Sequence, residues 1–254
     1  MRLFDLTGRV ALVTGGNGGI GLGMAEALAE AGAAVAIAAR NPEKAEAALA
    51  RLLAAGGNAR FFPLDLQEER SCRRAVLEVA RHFGRLDILV NNAGTTVRKP
   101  AETFTAEEWR RVLETNLSGA FFCCQAAHPL MKEAGGGKII NIGSMFSLFG
   151  ARYAVAYAAS KGGLLQVTKS LACAWAKDNI QVNAVLPGWI DTELTRAARR
   201  EVEGLNDAIL SRTPMGRWGE TRDLAGVAVF LASPASDFVT GTAIPVDGGF
   251  SAMG

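Results

Sequence analysis

The stretch that most narrows the fold runs from residue 10 to residue 21. Val10-Ala11-Leu12-Val13 is aliphatic, and Thr14-Gly15-Gly16-Asn17-Gly18-Gly19-Ile20-Gly21 follows at once. A short aliphatic run bounded by glycine reads as a parallel strand buried on both faces. Leu22 to Ala31 then continues as a helical stretch rich in alanine and leucine. Strand, glycine turn and helix start form the geometry that holds a pyrophosphate on backbone N–H groups at the positive end of a helix. A Cβ in such a turn would crowd the phosphates or block the bend. The spacing Gly15, Gly19, Gly21 is G-x-x-x-G-x-G, which differs from the G-x-G-x-x-G dinucleotide fingerprint. A glycine-rich loop without a ligand is the plain alternative, and the strand before it and helix after it argue against that.

The rest of the chain repeats the alternation. Strand-like runs at Val35–Ala39, Arg60–Leu64, Leu86–Val90, Lys138–Ile142, Gln181–Val185 and Ala243–Val246 are separated by helical patterns. This predicts a doubly wound α/β fold of Rossmann type, with a seven-stranded parallel sheet and helices on both faces. Asn41-Pro42-Glu43 caps one helix, Gly84 stops another, and one long helical region spans about Ala106 to Glu133. Across 254 residues there is no linker, repeat or low-complexity segment, so 1–254 reads as one domain.

Composition excludes several classes of function. Lys+Arg 27 against Asp+Glu 25 leaves a net charge of +2, too balanced for nucleic acid or a membrane surface as partner. No run reaches the ~18 apolar residues of a spanning helix, and the N-terminus lacks a signal-peptide core. Cys72, Cys123, Cys124 and Cys173 have no C-x-x-C spacing, which predicts free buried thiols in a reducing cytoplasm and no metal site. His82 and His128 show no ligand spacing and read as structural.

Chemistry is concentrated in Tyr157-Ala158-Ala159-Ser160-Lys161. Side chains four apart on a helix share a face, and an ammonium beside a phenol lowers a pKa that starts near ~10. Such a tyrosine can exchange a proton with an alcohol or carbonyl. Tyr153, the other tyrosine, has Tyr157 and not a lysine four residues on.

Together with the glycine turn, the pieces Asp65, Asn91-Asn92-Ala93-Gly94, Asn116, Ser144, Tyr157 with Lys161, Pro187-Gly188 and Val246-Asp247-Gly248-Gly249 resemble the short-chain dehydrogenase/reductase family over nearly the full length. The resemblance implies an NAD(P)-dependent oxidoreductase with Asn116, Ser144, Tyr157 and Lys161 as its catalytic residues. Tyr157 would be the general acid or base, and Ser144 would polarise the substrate carbonyl. Lys161 would tune the phenol and bond the nicotinamide ribose, while Asn116 would open a water chain to solvent. By residue type alone Ser144 could be a turn serine, and Asn116 a helix-boundary asparagine.

The coenzyme contacts implied by the resemblance are Gly15, Asn17, Gly19, Ile20 and Gly21 in the turn, then Asp65 and Leu66, then Asn91, Ala93 and Gly94. Pro187, Gly188, Ile190 and Thr192 would close over the nicotinamide, beside Tyr157 and Lys161. Arg40 ends the second strand, where an acidic residue would bind the ribose 2′-hydroxyl of NAD and an arginine the 2′-phosphate of NADP. NADP is favoured over NAD on that ground, although Asn17-Gly18 stands where many NADP-using relatives carry a basic residue. The charged stretch 191–213 reads as a substrate lid or a solvated surface helix.

Val97-Arg98-Lys99-Pro100, Gly143-Ser144-Met145 and Arg212–Gly219 resemble the gluconate 5-dehydrogenase and 2-deoxy-D-gluconate 3-dehydrogenase branch. Arg98 and Arg152 flank the expected mouth, where beside Ser144 and Tyr157 they could grip a sugar-acid carboxylate; exposed loop arginines are the alternative. A 3-oxoacyl-(acyl carrier protein) reductase, a glucose or polyol dehydrogenase and a catalytically silent nucleotide-binding scaffold are the competing functions. Apolar residues on more than one face of the stretches 116–134 and 157–176 predict a homo-oligomer, a tetramer by the resemblance.

Overall fold

In a computed structural model, residues 2–253 of the chain are described; Met1 and Gly254, the two ends of the expected domain, lie outside them. Val10–Thr14 (β1), Ala34–Ala39 (β2), Ala59–Pro63 (β3), Ile88–Asn91 (β4), Gly137–Ile142 (β5), Ile180–Pro187 (β6) and Ala243–Val246 (β7) form one parallel seven-stranded sheet in the order β3-β2-β1-β4-β5-β6-β7. The expected architecture is therefore the observed one. The central strands β1, β4, β5 and β6 are buried along their whole length between two helical layers, and β5 and β6 bury polar Lys138, Asn141, Gln181 and Asn183 among their apolar residues.

Glu69–Phe83 (α3), Gly119–Glu133 (α5) and Val155–Trp175 (α6) cover one face. Gly19–Glu30 (α1), Pro42–Ala54 (α2) and Ala225–Ala232 (α9) cover the other. Each large core side chain removed from water contributes roughly 1.5–3 kcal/mol, and Leu12, Ile37, Leu89 and Ile139 are all at 1% exposure or below. The Asn41 side chain caps α2 by accepting from the Lys44 N–H at 2.9 Å, and Gly84 ends α3 at φ 81, as its position predicted.

Two sequence readings need correction. The helical region 106–133 is not one regular helix: Ala106–Leu113 (α4) and α5 are joined through a π-helical turn at Glu114–Ser118. Of the four cysteines, Cys173 is exposed, because it faces outward from α6; the other three are buried and all four are free. The stretch 191–213 forms Glu193–Glu201 (α7) and Leu205–Arg212 (α8). Among the described residues no helix is long and apolar enough to cross a membrane.

Candidate active site

The chain leaves β1 toward β2 on one side and later returns to place β4 on the other, so the connections diverge at the carboxyl ends of β1 and β4. Such a divergence leaves a crevice, and a cleft of about 950 Å³ opens there. Its floor is stitched by Thr14 and Asn92. The Thr14 hydroxyl accepts from the N–H groups of Asn92 (3.0 Å) and Ala93 (3.1 Å), and the Asn92 side-chain amide donates to the Thr14 carbonyl at 3.0 Å.

The glycine turn behaves as its composition predicts. Gly15 and Gly19 have φ 65 and 53, which a larger residue rarely adopts. A Cβ on Gly21 would collide with the Gly15 carbonyl and the Asn92 amide. Helix α1 starts without a side-chain cap and without an acidic residue in its first turn, so its leading N–H groups are left for an anion. This cradle fits the pyrophosphate of a dinucleotide. Gly15, Asn17, Gly19, Ile20 and Arg40 line that end of the cleft; Asp65, Leu66, Ala93 and Gly94 line the next stretch of wall. Pro187, Gly188, Ile190 and Thr192 line the cleft as well, and Thr192 adjoins the glycine turn, 3.5 Å from where a Cβ on Gly19 would sit. The Thr192 hydroxyl is engaged in capping α7, accepting from the Thr195 N–H at 3.4 Å.

Beyond the glycine turn, α6 carries Tyr157 and Lys161 to the cleft. Lys161 is 3% exposed; its ammonium donates to the Ile142 carbonyl at 2.6 Å and lies 5.7 Å from the Tyr157 ring centroid. Burial lowers the Lys161 pKa to about 8. Burial also pushes the Tyr157 phenol up, with Ser144 and the charge of Arg98 pulling it down. The expected lowering of the phenol by Lys161 is not found: the groups that pull it down are Ser144 and Arg98, and desolvation, which penalises the charged form of both residues, outweighs them. Ser144 follows β5, accepts from the Phe146 N–H at 3.2 Å and turns the chain so that Phe146 meets the Tyr157 ring edge-on at 6.3 Å.

Asn116, Asn91 and Gly21 stand behind the cleft wall and do not line it. The π-helical turn aims Asn116, 1% exposed, at Thr95 and α6. Its amide donates to the Thr95 carbonyl (2.9 Å) and the Ser160 hydroxyl (3.0 Å), and its oxygen accepts from the Thr95 N–H at 2.7 Å. Ser160 in turn donates to the Tyr157 carbonyl at 2.7 Å. Asn91 joins the sheet centre, donating to Asn141 at 2.9 Å, and Asn141 donates to Thr168 of α6 at 2.9 Å. A residue inserted in the helix, or a strand end in the sheet core, turns such side chains inward, which one-dimensional spacing does not reveal.

Arg98 and Arg152 both line the cleft, and among the described residues neither is in an ion pair. Neighbouring Lys99, by contrast, is held by Glu108 at 2.6 Å. The Arg152 guanidinium lies 5.0 Å from the Tyr153 ring centroid. Sequence reasoning gave no role of their own to Thr14, Asn92 and Ser160, which it met only inside motifs, and none to Phe146, Trp189 and Lys44. Ser160 had a signal, since it sits between Tyr157 and Lys161 on a face turned to the sheet; the aromatic pair Phe146 and Trp189, 6.1 Å apart, had none. No cluster of three or more His, Cys, Asp or Glu that could hold a metal occurs among the described residues.

A tyrosine, a lysine and a serine gathered beside a cradle that fits a dinucleotide are the parts a coenzyme-dependent oxidoreductase needs. A family model described as enoyl-(acyl carrier protein) reductase matches residues 15–251. A 2-dehydro-3-deoxy-D-gluconate 5-dehydrogenase of Bacillus subtilis is 43% identical over 97% of this chain and 96% of its own. A tropinone reductase homologue of Arabidopsis thaliana is 41% identical over 99% and 95%. The crystal structure of a gluconate 5-dehydrogenase from Burkholderia cenocepacia, in complex with NADP and tartrate, is 43% identical, covers 99% of this chain and 98% of its own, and has a TM-score of 0.94. The chain belongs to the short-chain dehydrogenase/reductase family and is an oxidoreductase that uses a nicotinamide coenzyme.

Proposed function

We propose that this enzyme moves a hydride between NADP and a secondary alcohol or ketone of a sugar acid of the gluconate type. The observation that carries the reading is the pair Arg98 and Arg152, two cations that have no ion-pair partner among the described residues and share the cleft with Tyr157. The charge of Arg98 pulls the phenol down, and a carboxylate gripped by that guanidinium would share the cleft with the reacting oxygen. The gluconate and dehydro-deoxy-gluconate dehydrogenases among the relatives support the same substrate class.

The nicotinamide supplies the hydride acceptor for oxidation and the donor for reduction. Tyr157 takes the hydroxyl proton in oxidation and returns it in reduction. Ser144 bonds the same oxygen and holds it toward the phenol, a neutral contribution to charge stabilisation. Lys161 keeps positive charge beside both and presents its ammonium to the coenzyme ribose. Asn116 holds the Tyr157 segment through Ser160 and lies near Lys161, since a Cβ on Gly94 would be 3.3 Å from its oxygen and 3.6 Å from the lysine ammonium. Arg40, at the end of β2 and on the cleft wall, favours the 2′-phosphate of NADP. The segment 191–213 is the lid, because Thr192, Ala198, Val202 and Leu205 all reach the cleft. A homotetramer in the cytoplasm completes the reading; half-buried Phe121, Phe122 and Trp175 and the three buried free thiols support it.

Nicotinamide absorbance during turnover tests the proposal, with NADP(H) and NAD(H) over gluconates, keto-gluconates, polyols and 3-oxoacyl thioesters. Fast turnover of a keto-gluconate with NADPH is expected. Tyr157→Phe should lower it by about a hundredfold to ten-thousandfold while coenzyme binding survives. Activity confined to thioesters or neutral polyols would replace the substrate reading, and tight coenzyme binding with no turnover of any carbonyl would favour a silent scaffold.

A further inference from the structure

The glycine turn lacks a basic residue of its own at Asn17-Gly18, yet the fold delivers one from elsewhere. Lys44 belongs to the first turn of α2, where the Asn41 cap fixes its backbone. Its stem runs back over the glycine turn. A Cβ placed on Gly18 would be 3.1 Å from Lys44 Cε and 3.6 Å from its Nζ. A side chain at Gly18 would crowd the lysine stem where it now lies, so the glycine leaves the ammonium room beside the turn. From there Nζ reaches Glu193 Oε2, 2.6 Å away, at the first residue of helix α7. Lys44, Glu193, Gly18 and Arg40 all line this cleft, and Arg40 stands just before the Asn41 cap of the helix that carries Lys44.

We propose that Lys44 is a shared cation: it latches the lid through Glu193, and it selects NADP by binding the ribose 2′-phosphate together with Arg40, so that carboxylate and phosphate compete for it. This rests on the coenzyme reading above. The Lys44 and Glu193 side chains are 49% and 85% exposed. An exposed pair of this kind is a weak tie, whereas a phosphate monoester offers close to two negative charges and three acceptor oxygens. The phosphate therefore wins the ammonium, and the lid carboxylate is released when NADP enters. NAD has a hydroxyl at that position and leaves the latch in place.

The test is direct binding of NADPH and NADH, read by nicotinamide fluorescence, to wild type, Lys44→Ala, Lys44→Arg and Glu193→Gln. Lys44→Ala should weaken NADPH about tenfold with little change for NADH, and Lys44→Arg should restore the ratio. Glu193→Gln frees the ammonium and should tighten NADPH alone. An equal effect of Lys44→Ala on both coenzymes, or none on either, overturns the assignment. Glu193→Gln with an unchanged NADPH-to-NADH ratio overturns the competition. A wild type that binds NADH more tightly overturns the coenzyme reading instead, and the drop in ratio in Lys44→Ala still decides the role of Lys44.

Discussion

Lys161 shows how much the site asks of single residues. Its ammonium is buried and has one carbonyl partner, and its pKa falls to about 8 from an ordinary 10.5. Below pH 8 folding must bury a charge that the unfolded chain keeps in water, so the cost is fully present. Between about pH 8 and 10.5 the folded protein has released this proton and the unfolded chain has not, so stability rises with pH. Lys161→Met removes the titration. The unfolding free energy of wild type relative to Lys161→Met should climb by roughly 3 kcal/mol across that window, measured by denaturant titration at several pH values. A constant difference would mean that burial does not act on the ammonium. Arg98 acts on the phenol in the opposite sense to burial. Arg98→Ala should raise KM for a gluconate about tenfold and leave KM for a neutral polyol unchanged. It should also move the rise of oxidation with pH, the limb on which the phenol loses its proton, to higher pH. Equal KM effects on acid and polyol would remove Arg98 from substrate binding.

Among the elements, the junction of α4 and α5 matters most. A regular helix through Glu114–Ser118 would rotate Asn116 away from Thr95 and Ser160; the extra residue of the π-helical turn brings it round. The side chain then ties three separate pieces of backbone: the segment after β4, the α4–α5 junction and the α6 turn carrying Tyr157. Asn116→Ala strips the Thr95 N–H and carbonyl of their partners, a loss of about 1–3 kcal/mol for each buried group left unsatisfied. Thermal unfolding should register that loss. In turnover, kcat should fall well below wild type with KM little changed, because Asn116 does not line the cleft. A stability loss without any change in kcat would reduce Asn116 to a structural role.

For the whole molecule, the sheet places every chemical group at one end. The glycine turn after β1, Asn92-Ala93-Gly94 after β4, Ser144 after β5 and Pro187-Gly188 at the end of β6 converge because parallel strands share a direction. The outer surface carries the question of assembly. Trp109 and Phe238 are exposed, Phe238 entirely so, and Phe121, Phe122 and Trp175 are only half-buried. Apolar rings on a lone subunit cost solubility and favour association. Light scattering coupled to size exclusion should give four times the mass of one chain. A dilute solution that scatters as a single chain would show that these rings do not drive assembly.

Local order was legible in the amino-acid sequence because strand, glycine turn and helix leave short-range marks. Aliphatic runs bounded by glycine marked the strands, Asn41 and Gly84 marked helix ends, and the four-residue spacing of Tyr157 and Lys161 put them on one face. What the sequence could not supply were contacts between residues far apart in the chain. Lys44 and Glu193 meet across 149 positions, Asn116 and Ser160 across 44, and Thr14 and Asn92 across 78. The balance between an ammonium and a buried phenol was also out of reach, because desolvation is set by everything packed around a group and by nothing in its own residue type. Spacing announced the candidate groups; tertiary packing decided their charge, their partners and which of them reach the cleft.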